Sequence, residues 1–145
     1  MKNFLMIFSF LFILNSCGTD QGEGETYIYT LINSSGHNIK IEAFNLTSRE
    51  EVSKITYLEN GEEITKKFTS PAPPMQEYYS YVGFFEGDSI IITYDNEKRK
   101  VFVLETCEGD SRNPINICLY SNLIETFTFS EENFENAAPC DGDCN

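Results

Sequence analysis

Val52-Ser53-Lys54-Ile55-Thr56-Tyr57-Leu58-Glu59-Asn60-Gly61-Glu62-Glu63-Ile64-Thr65-Lys66-Lys67-Phe68-Thr69 is the stretch that decides the fold class. Two runs rich in β-branched and aromatic residues flank Asn60-Gly61. That dipeptide tolerates positive φ and so suits a type I′ turn. The stretch predicts an antiparallel hairpin in which Tyr57 faces Ile64 and Ile55 lies beside Lys66. Cross-strand pairs of this kind contribute ~0.2–1 kcal/mol each.

The same chemistry repeats on both sides. Upstream, Thr26 to Ile32 reads as a strand with apolar groups on both faces, hence central in its sheet. The turn formers Asn33-Ser34-Ser35-Gly36 follow, and then Asn38 to Ala43 alternates, with Ile39, Ile41 and Ala43 inward and Lys40 and Glu42 outward. This pair predicts another hairpin. Downstream, Pro71, Pro73 and Pro74 exclude a sheet interior and predict a polyproline-like crossover. Tyr78 to Phe85, dense in aromatics, predicts a strand. Ser89 to Tyr94 and Val101 to Leu104 predict a hairpin around Asp95-Asn96-Glu97-Lys98. Lys98-Arg99-Lys100, at a strand start, reads as edge protection. Cys107 to Cys118 is an irregular loop. Leu123 to Phe129 is a last strand, with Phe127 and Phe129 on one face. Ser130-Glu131-Glu132-Asn133 starts a short helix that Ser130 caps. The sum is an all-β chain: an antiparallel β-sandwich of about seven strands, with a small β-barrel as the alternative.

The first residues follow a different logic. Lys2 precedes Phe4 to Leu14, an apolar run broken only by Ser9 and far short of the ~20 residues of a spanning helix. After Leu14-Asn15-Ser16-Cys17 the chain turns polar, as Gly18-Thr19-Asp20-Gln21-Gly22-Glu23-Gly24-Glu25. Leu14-Asn15-Ser16-Cys17 resembles the lipobox of bacterial lipoproteins, with Asn15 departing from the commonest residue. The resemblance covers the first seventeen residues. It implies cleavage before Cys17, a diacylglyceride on its sulfur and acylation of the new N-terminus. With Gly18 rather than Asp after the Cys, it further implies the outer membrane, on its periplasmic face or at the cell surface. Asp20, Glu23 and Glu25 look like surface-export tags, although an acidic Gly-rich tether reads the same way.

The division that follows is a leader over 1–16, a lipidated Cys and tether over 17–25, a β-sandwich over 26–136 and a polar tail over 137–145. Losing the leader leaves 129 of 145 residues, one domain, and takes the formal charge from −13 to −14 with the loss of Lys2. So acidic a domain argues against nucleic acid, which needs clustered Lys and Arg, and against resting on anionic lipid.

Four cysteines remain besides Cys17. Cys107, Cys118, Cys140 and Cys144 in an exported chain predict disulfides. The pairing Cys107–Cys118 with Cys140–Cys144 is favoured, and a bridge from tail to loop stays open. A four-thiolate zinc site lacks Cys-x-x-Cys spacing. Asp141-Gly142-Asp143-Cys144-Asn145 matches only the opening of a calcium loop. His37, the single histidine, has no G-x-S-x-G elbow to serve and reads as an exposed turn residue. The doublets Glu50-Glu51, Glu62-Glu63 and Glu131-Glu132 put neighbouring carboxylates on opposite faces of a strand, so they form no glycosidase pair by themselves. Asp88-Ser89-Ile90 resembles a bacterial O-glycosylation acceptor. No cofactor is expected. The expected role is a non-enzymatic, membrane-anchored binding or structural module with an envelope protein or glycan partner. An envelope hydrolase using carboxylates and an accessory subunit of an envelope complex are the alternatives.

Overall fold

A computed structural model describes residues 24–45, 48–70 and 81–144. The leader, Cys17, the proline crossover and Asn145 lie outside these residues. Among the described residues the strands are β1 (Thr26–Ser34), β2 (Ile39–Asn45), β3 (Ser48–Leu58), β4 (Glu63–Thr69), β5 (Ser89–Tyr94), β6 (Lys98–Val103), β7 (Ile124–Ser130) and β8 (Ala138–Pro139). Two short helices are α1 (Tyr81–Phe85) and α2 (Glu131–Glu135). The strands form a three-stranded sheet, β4-β1-β7, and a five-stranded sheet, β3-β2-β5-β6-β8. No sheet closes on itself, so the architecture is the all-β sandwich and not a barrel.

The stretch around Asn60-Gly61 is a turn, but not a hairpin. β3 pairs with β2 and β4 pairs with β1, so the two strands enter different sheets. The backbone gives the reason. Only Gly61 has positive φ, at 83°, and the Glu62 amide donates to the Glu59 carbonyl at 3.0 Å. That is type II geometry, which splays the flanking strands where type I′ would keep them together. Tyr57 therefore lies opposite Lys40, and Ile64 opposite Leu31. The predicted β1–β2 hairpin fails likewise, because β1 and β2 belong to opposite sheets. At that corner buried Asn33 donates from Nδ2 to the carbonyls of His37 at 2.7 Å and Leu58 at 3.1 Å. Its Oδ1 accepts from the Ser35 hydroxyl at 2.7 Å. The predicted β5–β6 hairpin is present. Asp95 and Asn96 both have positive φ, 43° and 62°, as a type I′ turn requires.

Three further expectations change. β1 runs parallel to β7, so the sandwich is not purely antiparallel. β1 is nonetheless central, with Tyr27, Tyr29 and Leu31 buried as its core face. Tyr81 to Phe85 is helical rather than extended, with Tyr81, Val82, Phe84 and Phe85 all buried. A five-residue aromatic run between prolines and a Gly87 turn is short enough to coil into the gap between two sheets, where ring packing decides over β propensity. Finally, the polar tail packs on the domain through its described residues. Ala138 and Pro139 pair with Arg99 and Lys98, and the Cys140 amide donates to the Glu97 carbonyl at 2.9 Å. The basic cluster thus has a neighbouring strand, and Lys98 Nζ lies 4.2 Å over the Phe134 ring.

Both open sides of the sandwich are filled. Between β3 and β4, α1 is held by Lys54, which donates to the Phe84 carbonyl at 3.1 Å, and by Lys66, which donates to it at 3.2 Å. Both lysines also reach Glu86. On the opposite side the loop 104–123 joins the sheets: Asn113 Nδ2 donates to the Val103 carbonyl at 2.8 Å and the Ile28 amide to Leu123 at 2.8 Å. In α2 the Asn133 Oδ1 accepts from both the amide and the hydroxyl of Ser130.

Candidate functional site

Cys17 lies outside the described residues. Cys107 is bonded to Cys118 and Cys140 to Cys144, the favoured pairing. The first bridge pins the loop 104–123. The second closes a small ring whose Asp143 accepts from Asn96 Nδ2 at 3.3 Å. Among the described residues no three His, Cys, Asp or Glu side chains are grouped to hold a metal ion.

His37 is not merely an exposed turn residue. Its Nδ1 lies 2.9 Å from Asp95 Oδ2, and its ring stacks on Phe134 with centroids 3.6 Å apart. The Asp95 Oδ1 accepts from the amide and the side chain of Asn38, at 3.1 and 3.0 Å. This dyad ties the β1–β2 corner to the β5–β6 turn and to α2. Among the described residues no hydroxyl or thiol is bonded to the other imidazole nitrogen.

The carboxylate doublets do not come together. Glu50-Glu51 sits in β3, Glu62-Glu63 at the start of β4 and Glu131-Glu132 in α2. Glu62 accepts from the Glu59 amide at 2.8 Å, and Glu132 pairs with Arg112 at 3.1 Å. Among the described residues no Asp or Glu is buried. Two carboxyls titrate below their ordinary range: Glu86, because Lys66 donates to it, and Asp110, because Arg112 does. Burial pushes the Lys54 ammonium down, and neighbouring Lys66 adds to that. These are structural ion pairs, and each carboxyl is held in its charged form.

The feature that sequence reading missed is the outer face of the five-stranded sheet. Register places its outward residues in three rows. Tyr57, Lys40, Thr93 and Arg99 form one; Ile55, Glu42, Ile91 and Val101 the next; Val52, Phe44, Ser89 and Val103 the third. Seven of these twelve positions are apolar. Ile55, Tyr57, Val101 and Val103 are 46, 65, 52 and 47 % exposed, too much for a face meant only for water. The three-stranded sheet differs: Thr65, Thr30 and Thr126 form its middle row. Ser89 lies half-buried in a shallow apolar depression with Phe44, Ile91, Val101 and Val103. The signal was in the sequence. Val101-Phe102-Val103 has apolar residues at both parities, and Phe102 alone fills the core.

No protein-family model, curated protein or solved structure was found to match the chain. The functional reading therefore rests on the residues and on the surface they build.

Proposed function

We propose that the protein is a lipid-anchored binding module of the outer membrane, tethered through Cys17 and making contact through the outer face of its five-stranded sheet. The observation that carries this reading is that face. It is apolar at most positions and exposed, and its inner strands β2 and β5 are hydrogen-bonded on both sides. The lipobox-like Leu14-Asn15-Ser16-Cys17 supports the anchor, and two disulfides suit an oxidising, exported setting. One acyl chain binds reversibly, whereas several chains on one residue hold a protein to the bilayer.

The test of the anchor is Cys17→Ala. The substituted chain is expected in the soluble fraction, with the native chain in the membrane pellet after a high-salt wash. Equal pelleting of both would remove the anchor reading. An accessory subunit of an envelope complex is a second reading, favoured by the same exposed apolar patch. It predicts that the anchored chain co-purifies with a stoichiometric neighbour.

A further inference from the structure

The outer face of the five-stranded sheet has a direction. β1 and β2 meet at the 35–38 corner, where Asn33 bonds the His37 and Leu58 carbonyls. Ser34 therefore lies at the Ile39 end of β2, and Thr26 at the Asn45 end. Gly24-Glu25 is fastened at that second end, where the Ser70 amide donates to the Glu25 carbonyl at 2.9 Å and a Cβ on Gly24 would run into the Ser70 carbonyl. Phe44, Val52 and Val103 form the row nearest it, whereas Lys40 and Arg99 belong to the far row.

Reach then matters. Six residues lie between Cys17 and Gly24, seven steps of chain that span at most ~25 Å. Packed sheets lie about 10 Å apart. A domain resting on its five-stranded face keeps Gly24 well inside that limit. From the tether length and the apolar gradient we infer that the occupant of this face is the bilayer surface itself. The inference rests on the lipid-anchor reading above and names the partner of its binding surface.

Three features favour the inference. β2 and β5 are hydrogen-bonded on both sides, so the middle of the face presents side chains and no unpaired strand groups to lipid, and the open edge of β3 lies at its margin. Its charges are Lys40 and Arg99 against Glu42, a net positive patch on a chain of −13, so the acidity that argues against anionic lipid is not local to it. Lys40 is already paired with Glu42 at 2.8 Å. Tyr57 carries an apolar ring and a hydroxyl at the far row, a combination enriched at headgroup level.

The chain has no tryptophan, which supplies the test. Single reporters are introduced as Val101→Trp on the face, Thr126→Trp on the three-stranded sheet and Ile124→Trp at its exposed start. Each lipidated protein is reconstituted into phosphatidylcholine vesicles with brominated acyl chains. Apolar surfaces on membranes sit about 5–10 Å into the headgroup–acyl boundary, so Val101→Trp is expected to lose roughly half its emission or more and Thr126→Trp almost none. Flotation is read in the same samples. Proteins that do not float overturn the anchor and this inference with it. Floating proteins with Val101→Trp unquenched overturn the face alone. Stronger quenching of Ile124→Trp than of Val101→Trp overturns it in favour of end-on contact. A dimer mass without vesicles, with Val101→Trp shielded from acrylamide, overturns it in favour of a second copy.

Discussion

Tyr81 and Tyr94 are both fully buried, and burial pushes both phenol pKa values well above their ordinary range. Their hydroxyls differ. Tyr81 donates to the Thr30 carbonyl at 2.6 Å, whereas the Tyr94 hydroxyl has no partner among the described residues. A buried hydroxyl stabilises only when bonded, and an unbonded one costs desolvation. Tyr81→Phe is therefore expected to lower stability by about 1 kcal/mol, and Tyr94→Phe to be neutral or to raise it by up to about 1 kcal/mol. Urea unfolding of both variants checks this, and equal losses would contradict it. At this scale much was legible from alternation alone. Ile39, Ile41 and Ala43 are buried and Lys40 and Glu42 are not; Phe127 and Phe129 are buried together. The Tyr81 bond was not legible, because its acceptor lies 51 residues away in another element.

Elements were read well as strands and poorly as pairs. The reason lies in one dihedral angle at each turn. Asn-Gly permits two positive φ values but does not enforce them, and here only Gly61 takes one. Asp95-Asn96, a weaker sequence signal, takes both. α1 was missed because its place depends on a gap between sheets that exists only once β3 and β4 have separated. Its seal is electrostatic as well as aromatic: Lys54 and Lys66 bond the Phe84 carbonyl and Glu86, and Lys54 lies 5.6 Å over the Phe84 ring. The Lys66 hydrogen bond is the main cause of the lowered Glu86 pKa. A carboxyl depressed on folding contributes stability that is present above its ordinary value of 4.5 and lost as pH falls through the folded value. Glu86 is solvent-facing, so the contribution is a fraction of a kcal/mol. Lys66→Met is expected to start less stable at neutral pH and to lose less on acidification below about pH 4. Urea midpoints at both pH values decide it, and an identical acid loss in the two chains would contradict the ion-pair account.

For the whole molecule, the class and the cysteine pairing were legible, because strand-forming runs constrain the one and short spacing between cysteines the other. The layout of the two sheets was not, since it depends on contacts distant in sequence. The exposed apolar face of the five-stranded sheet was overlooked for a related reason: assigning apolar residues inward assumes that a strand has one apolar side. The two bridges carry unequal weight. Cys107–Cys118 closes a longer loop, and its removal is expected to cost about 3 kcal/mol, against about 2 kcal/mol for Cys140–Cys144. Paired Cys→Ala variants compared in thermal unfolding check the order; a reversed order would mean that docking of β8, rather than loop closure, sets the second value. β1 has a further consequence for how the chain is delivered. Of the described strands it is the first in sequence, yet its partners are β4 and, about a hundred residues later, β7. A polypeptide emerging end-first from a ribosome can pair β1 with β4 but holds its other edge open until almost everything has arrived. Such non-local closure is slow. Closure of the three-stranded sheet is thereby deferred to the end of synthesis.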